Sequence, residues 1–282
     1  MPSYTTPGPI TADIHVEVGN TTVHATDRTD TVVQIRPTTP DDKDDLRSVQ
    51  ETKVEFTDGR LTIKTPRARG LFSPKGSVVV EVSMPQGSQL TASVELGSLN
   101  SKGLLSNCEV RSSAGDIRID EARTVRLKTS SGDISLERAS GNAEISTGSG
   151  EVRVHEIAGN AEIKNSNGYT WVNEIAGDLE VKVSNGNTTV GRAQNSVVVK
   201  SAHGNVKIGE VARGTVDLQT KSGSIEVGIR EGSSAWLDVN SQTGKVYSDL
   251  GATEGPVEGT ETVKVHGRTG FGDIVIQRTQ SV

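Results

Sequence analysis

Gly132-Asp133-Ile134-Ser135-Leu136, Gly141-Asn142-Ala143-Glu144-Ile145-Ser146-Thr147 and Gly150-Glu151-Val152-Arg153-Val154 follow one another in a single stretch of the chain. Each is a glycine, a short or acidic polar residue, and then strict alternation of apolar with polar side chains. Alternation with period two sets the apolar residues on one face of a strand. The third piece restates the first 18 residues further on, and the same glycine recurs at Gly97, Gly115, Gly132, Gly150, Gly168, Gly186, Gly204 and Gly223. A unit this short cannot bury its own apolar face, so its neighbours must cover it. The fold class this requires is all-β: a single-chain parallel β-solenoid, or β-helix, with about 18 residues per coil. Parallel strands need a long crossover, and here the second strand of each coil supplies it. The usual hand of such crossovers predicts a right-handed path.

The inward positions can be read off the beat. Two and four residues past the glycine come pairs such as Ile117/Ile119, Ile134/Leu136, Val152/Val154 and Val206/Ile208. The residues between them, Arg118, Ser135, Arg153, Trp171, Thr189, Lys207 and Glu226, must point outward. The second segment of each coil repeats the pattern at Val125/Leu127, Ala143/Ile145, Ala161/Ile163, Leu179/Val181 and Val197/Val199. Between the segments Ala122, Ala139, Ile157, Ile175, Ala193 and Val211 read as corner plugs. Ser112, Thr129, Thr147, Asn165, Ser201 and Thr220 fall at the following bend, where stacked side chains could satisfy backbone groups; Val183 interrupts that ladder.

Three regions follow. Residues 97–250 form the regular solenoid. Residues 1–96 read as an irregular N-terminal β region of degenerate repeats, with an acidic insertion at 40–51 and a basic one at 66–75. Its Gly19-Asn20-Thr21-Thr22-Val23 is identical to Gly186–Val190, and a valine pair follows each, Val32-Val33 and Val197-Val198. Residues 251–282 hold a Gly/Glu-rich loop and Gly272-Asp273-Ile274-Val275-Ile276, predicted to cap the stack.

Ser131–Leu136, Gly141–Thr147 and their copies through about Val227 resemble the putative-adhesin β-strand-repeat family, bacterial domains of unknown function. The segment Glu81–Ser88 is similar to that family's lead-in strand, with its proline-glycine turn. The resemblance spans residues 77–278 or so. It implies a β-solenoid and almost no chemistry; members are often exported or membrane-anchored, which makes a surface adhesin an alternative role.

Composition narrows the function. Hydrophobic residues make up only 32% and aromatics 3%, while glycine supplies 31 positions, which suits a thin stacked interior and not a spherical core. The net charge of −6 comes with no long basic run, so no nucleic-acid partner is expected. The start, MPSYTTPGPITADIHVEVG, lacks a charged head followed by an apolar run, and no stretch is long and apolar enough to span a membrane. A cytoplasmic protein is expected. Cys108 falls at an inward position and reads as a buried, inert thiol.

The five histidines stand at no metal-ligand spacing, and no nucleophile elbow or phosphate-cradling loop occurs, so no catalytic residue, metal or cofactor is expected. Two surface features stand out. Asp116, Asp133 and Glu151 follow successive repeat glycines, and stacked carboxylates about 5 Å apart would suit a carbohydrate-binding or polysaccharide-acting face. A solvated edge balanced by Arg118 and Arg153 is the plainer reading. Tyr169 and Trp171 both point outward on one coil, and exposed aromatics are enriched at binding interfaces. The sequence therefore points to a non-enzymatic scaffold or interaction module, which binds a protein or self-associates.

Overall fold

The computed structural model describes residues 2–66, 76–251 and 261–279. The expected solenoid is present. Among these residues the only helix is Lys43–Glu51, and the chain divides into two compact units, Met1–Ser140 and Gly141–Val282.

In the first unit the long strand Thr11–Thr26 is the foundation. Its first half pairs in parallel with Arg60–Lys64 and Gln89–Leu96, its second half with Val78–Pro85 and Leu99–Ala114. Leu99–Ala114 then carries Ile117–Ser131, with Leu99 against Ile117 and Cys108 between Leu90 and Val125. The Cys108 thiol is buried and, with only apolar neighbours in its column, is pushed up to about 12 by desolvation. It is the inert thiol the alternation predicts.

The opening region is only partly a degenerate repeat. Gly19 does share the backbone of its copy, with φ of 141° at both Gly19 and Gly186, and Gly97 stacks on its carbonyl. The valine pair does not follow suit. Asp30–Pro37, which holds Val32-Val33, runs antiparallel to Val78–Pro85 instead of stacking in parallel. Ser3–Thr5 runs antiparallel to it in turn, and Lys53–Thr57 makes a hairpin with Arg60–Lys64. Asp58 and Gly59, with φ of 50° and 72°, form its tight turn, the Asp-Gly pair that right-twisted hairpins favour. Antiparallel strands need only short connections, so this end of the sheet is closed by hairpins.

The acidic insertion at 40–51 is a capped helix. Asp42 accepts hydrogen bonds from the amides of Asp44 at 2.9 Å and Asp45 at 3.0 Å, and Asp44 and Asp45 sit in the first turn, where negative charge meets the helix dipole. The helix packs on Asp30–Pro37 and Val78–Pro85. Residues 67–75 of the basic insertion and most of the Gly/Glu loop after Gly251 lie outside the described residues.

In the second unit two columns of strands stack in parallel. One runs through Ala143–Ser149, Ala161–Asn167, Leu179–Asn185, Val197–His203 and Gly214–Ser222. The other runs through Val152–Ile157, Thr170–Ile175, Thr188–Ala193, Val206–Val211 and Ile225–Arg230. Register is one coil per step, so Val154, Val172, Val190 and Ile208 lie in line, all fully buried. The corner plugs Ile157, Ile175, Ala193 and Val211 are buried likewise.

The predicted cap is corrected by the pairing. Thr262–Phe271 lies between Gly214–Ser222 and Ser234–Thr243, and Ile274–Thr279 lies between Ile225–Arg230 and Val246–Ser248. The last coil in sequence is thus inside the stack, and the coil before it forms the end. Burial explains the exchange. The inner coil turns Val263, Val265, Ile274 and Ile276 inward, all buried, where the outer coil has Ala235, Leu237, Val246 and Ser248 in register. Covering the more apolar coil on both sides removes more hydrocarbon from water.

Candidate functional site

Asp116, the first of the three acids, proves to be a stitch between coils. Asp116 Oδ1 accepts the backbone amide of Asp133 at 3.0 Å, and its other oxygen takes Arg118 at 2.8 Å. The same bond recurs with side-chain amides and a second carboxylate: Asn187 to the amide of Asn205 at 2.9 Å, Asn205 to that of Ser224 at 2.8 Å, Asp273 to that of Lys245 at 2.8 Å. A parallel ladder occupies the other bend, from Asn142 to the amide of Asn160 at 3.0 Å and from Asn160 to that of Asp178 at 2.9 Å. The carboxylates after the repeat glycines read in sequence as an acidic face, but this position also holds Asn187 and Asn205. The interchangeability of Asp with Asn was the available signal, since only a carbonyl-type acceptor is required. Asp116 and Asp133 do stand on adjacent coils, but the Asp116 carboxylate is engaged on both oxygens. Glu151, in the second unit, is paired with Arg153.

These stitches carry a prediction. Asn205→Ala removes one acceptor between coils and should cost about 1 kcal/mol, as one net hydrogen bond does. Asn205→Asp should cost less, because the acceptor oxygen survives. Urea denaturation of the two variants reads the difference.

The hydroxyl ladder inside the bend is partly built. Thr129 donates to Gly115 O at 3.3 Å, Asn165 to Gly150 O at 3.1 Å, Thr220 to Gly204 O at 3.2 Å and Thr269 to Gly223 O at 2.8 Å. Ser112 and Ser201 are exceptions whose hydroxyls have no hydrogen-bond partner. The acidic column at the corner is neutralised by arginines, with Arg192 at 3.4 Å from Glu174 and 3.8 Å from Glu210, and Arg230 at 3.0 Å from Glu210. Among the described residues no group of His, Cys, Asp and Glu is arranged to hold a metal ion, and no helix is long and apolar enough to cross a membrane.

Tyr169 and Trp171 interrupt this economy. Tyr169 occupies the stitching position with a side chain that is 57% exposed, and Trp171, two residues on, is 38% exposed. Between them Thr170 points into the core and is buried. The strand that presents them is held on both sides, by Val152–Ile157 and Thr188–Ala193. Asn165 fixes the local backbone by donating to Tyr169 O at 3.2 Å. Arg153 and Thr189 flank Trp171 in register. Trp171 on the doubly paired strand and Tyr169 at the bend before it leave two rings exposed beside a polar rim.

A family profile described as Toastrack DUF4097 matches residues 11–269. The chain belongs to this family. The match covers both units and bears out the resemblance carried by the glycine beat. Solved structures similar to this Toastrack chain include one described as a "putative adhesin" from Bacteroides fragilis, at 14% identity and a TM-score of 0.43, covering 98% of this chain and 95% of that one. Another, with the same description, is from Parabacteroides merdae, at 12% identity and a TM-score of 0.47, covering 99% and 95%. A third, from Parabacteroides distasonis, is described as a "putative lipid binding protein", at 12% identity and a TM-score of 0.29, covering 99% and 96%. No curated protein matches the chain.

Proposed function

We propose that this Toastrack chain is a non-enzymatic interaction module that presents the Tyr169–Trp171 pair to a protein partner. The observation that carries the reading is the exposure of both rings, Trp171 on a strand paired along both edges and Tyr169 at the bend just before it. A rigid platform loses little conformational entropy on binding, and tyrosine and tryptophan are the residues most often found at energetic centres of interfaces. The stitching role of Asp116 supports a non-enzymatic reading over an acidic catalytic face.

The test compares the wild-type chain with Tyr169→Ala/Trp171→Ala as immobilised baits, followed by titration of the captured protein. Removing two anchor rings should weaken that partner by about 2 kcal/mol or more, roughly thirtyfold. Equal affinity for both baits removes the platform from the account. A polysaccharide-cleavage screen with Asp133→Asn as control decides the enzymatic alternative, and turnover lost in that variant would establish it. Cell fractionation separates a cytoplasmic module from a surface adhesin.

A further inference from the structure

The outward faces of the first-segment strands in the second unit carry two adjoining charge columns. In register, one reads Lys164, Lys182, Lys200, Gln219, Arg268, Asn240, and the other reads Glu162, Glu180, Val198, Asp217, His266, Asp238. Cations and carboxylates neutralise each other along most of this face. Lys164 lies 2.7 Å from Glu162, and Lys182 lies 2.7 Å from Glu180 and 3.7 Å from Glu162. Hydrogen bonding from Lys164 holds the Glu162 carboxyl below its usual range, and the bond to Glu180 raises Lys182. Further along, Arg268 makes two 2.7 Å bonds to Asp238 and lowers it, with His266 assisting.

Lys200 breaks the pattern. The residue that would neutralise it is Val198, and Lys200 has no ion pair among the described residues. Lys221, on the neighbouring strand and two positions further along, has none either. By strand geometry their Cα atoms stand about 8 Å apart. Both line an open groove of about 550 Å³.

Gly270, on the floor of the groove, is a point of close backbone approach. Across the three last strands the outward row runs Lys221, Gly270, Gln242, and a Cβ on Gly270 would stand 2.5 Å from Lys221 O. Gln219, Asn240 and Gln242 supply amides around the depression, and no carboxylate lines it. Phe271, next to the floor glycine, leaves its ring 63% exposed at the rim. Two uncompensated ammonium groups, a set of amides and one flat apolar face meet in one concavity. Amides match hydroxyl groups, the ring matches the C–H face of a pyranose, and the lysines need a fixed negative charge.

We propose that this groove binds an acidic sugar, a pyranose carrying carboxylate or phosphate, through Lys200, Lys221, the amides of Asn240 and Gln242, and the Phe271 ring. The site is separate from the Tyr169–Trp171 platform and does not depend on it.

The experiment is isothermal titration of the full chain at low salt. The probes are tetragalacturonate, mannose 6-phosphate, neutral maltotetraose and inorganic phosphate. Saturable binding of tetragalacturonate or mannose 6-phosphate is expected, and comparing the two tells carboxylate from phosphate. Maltotetraose and inorganic phosphate should each bind at least about tenfold more weakly. Lys200→Gln/Lys221→Gln should weaken the acidic sugar by about tenfold or more, and Phe271→Ala should weaken it too, with circular dichroism unchanged. Lys182→Gln, whose lysine is already neutralised, should bind as wild type. The proposal is overturned by no binding of either acidic sugar, by equal binding of maltotetraose or inorganic phosphate, or by equal affinity in the double variant. Those results leave the protein-partner reading untouched, and loss of that reading leaves this one untouched.

Discussion

Gly204→Ala is expected to destabilise the protein by about 3 kcal/mol or more, placing it among the severe single substitutions. A Cβ at Gly204 would lie 2.0 Å from Gly186 O, well inside van der Waals contact. The coils cannot separate to make room, because Gly186 N donates to His203 O at 2.9 Å and Asn187 Oδ1 holds the amide of Asn205 at 2.9 Å. The backbone is also at φ +139°, where an L side chain is strained. Thermal denaturation should fall by about 10 °C for a body of this size. Gly8→Ala is the control, since no atom lies within 4 Å and its φ is not positive, and it should leave the midpoint unchanged. Equal loss in both would mean that general glycine flexibility, and not coil spacing, sets the effect.

Asp45→Ala is expected to release the helix Lys43–Glu51 from the first unit, at a cost of about 3 kcal/mol. Asp45 is almost fully buried although charged, and it accepts two backbone amides from outside the helix, Thr39 at 2.8 Å and Ser77 at 2.5 Å. Hydrogen bonds to a charged acceptor are worth more than neutral ones, and truncation would remove the acceptor of both amides. Hydrogen exchange should show lost protection at Thr39, Ser77 and the helix, with Ile117–Ser131 unaffected. Asp45→Asn keeps one acceptor oxygen and should recover part of the protection. Unchanged exchange at Thr39 and Ser77 in Asp45→Ala would contradict the assignment.

These two positions mark what could and could not be read from the chain. Gly204 belongs to a beat that determines coil length, strand face and register, because every copy faces the same steric demand. Ile134, Leu136 and Ile157 were legible as core for the same reason. Asp45 lies where the beat lapses. Its Asp42-x-x-Asp45 spacing is a helix start signal, but the acidic insertion does not by itself show that Asp45 meets the amides of Thr39 and Ser77. The exchange of the last two coils was illegible for another reason. Both coils fit the repeat, and only the pairing, which sets Val263 against Ala235 and Ile276 against Ser248, shows which is covered. The Asp116 and Asn205 stitches were visible as residues but not as bonds, since period alone does not say which atom an outward oxygen meets. The Lys200 groove needed the register itself, because Val198 becomes informative only beside the pairs Lys164–Glu162 and Lys182–Glu180.

The central claim is that each coil lies directly on the next, in the order the pairings give. Double electron–electron resonance between a nitroxide at Arg153 and a second at Glu226, Val275 or Tyr247 tests it, because these are outward positions of one column four, five and six steps away. Backbone separations of about 19, 24 and 29 Å are expected in that order. A separation for Tyr247 shorter than that for Val275, or one that fails to grow by a constant step, would contradict the account.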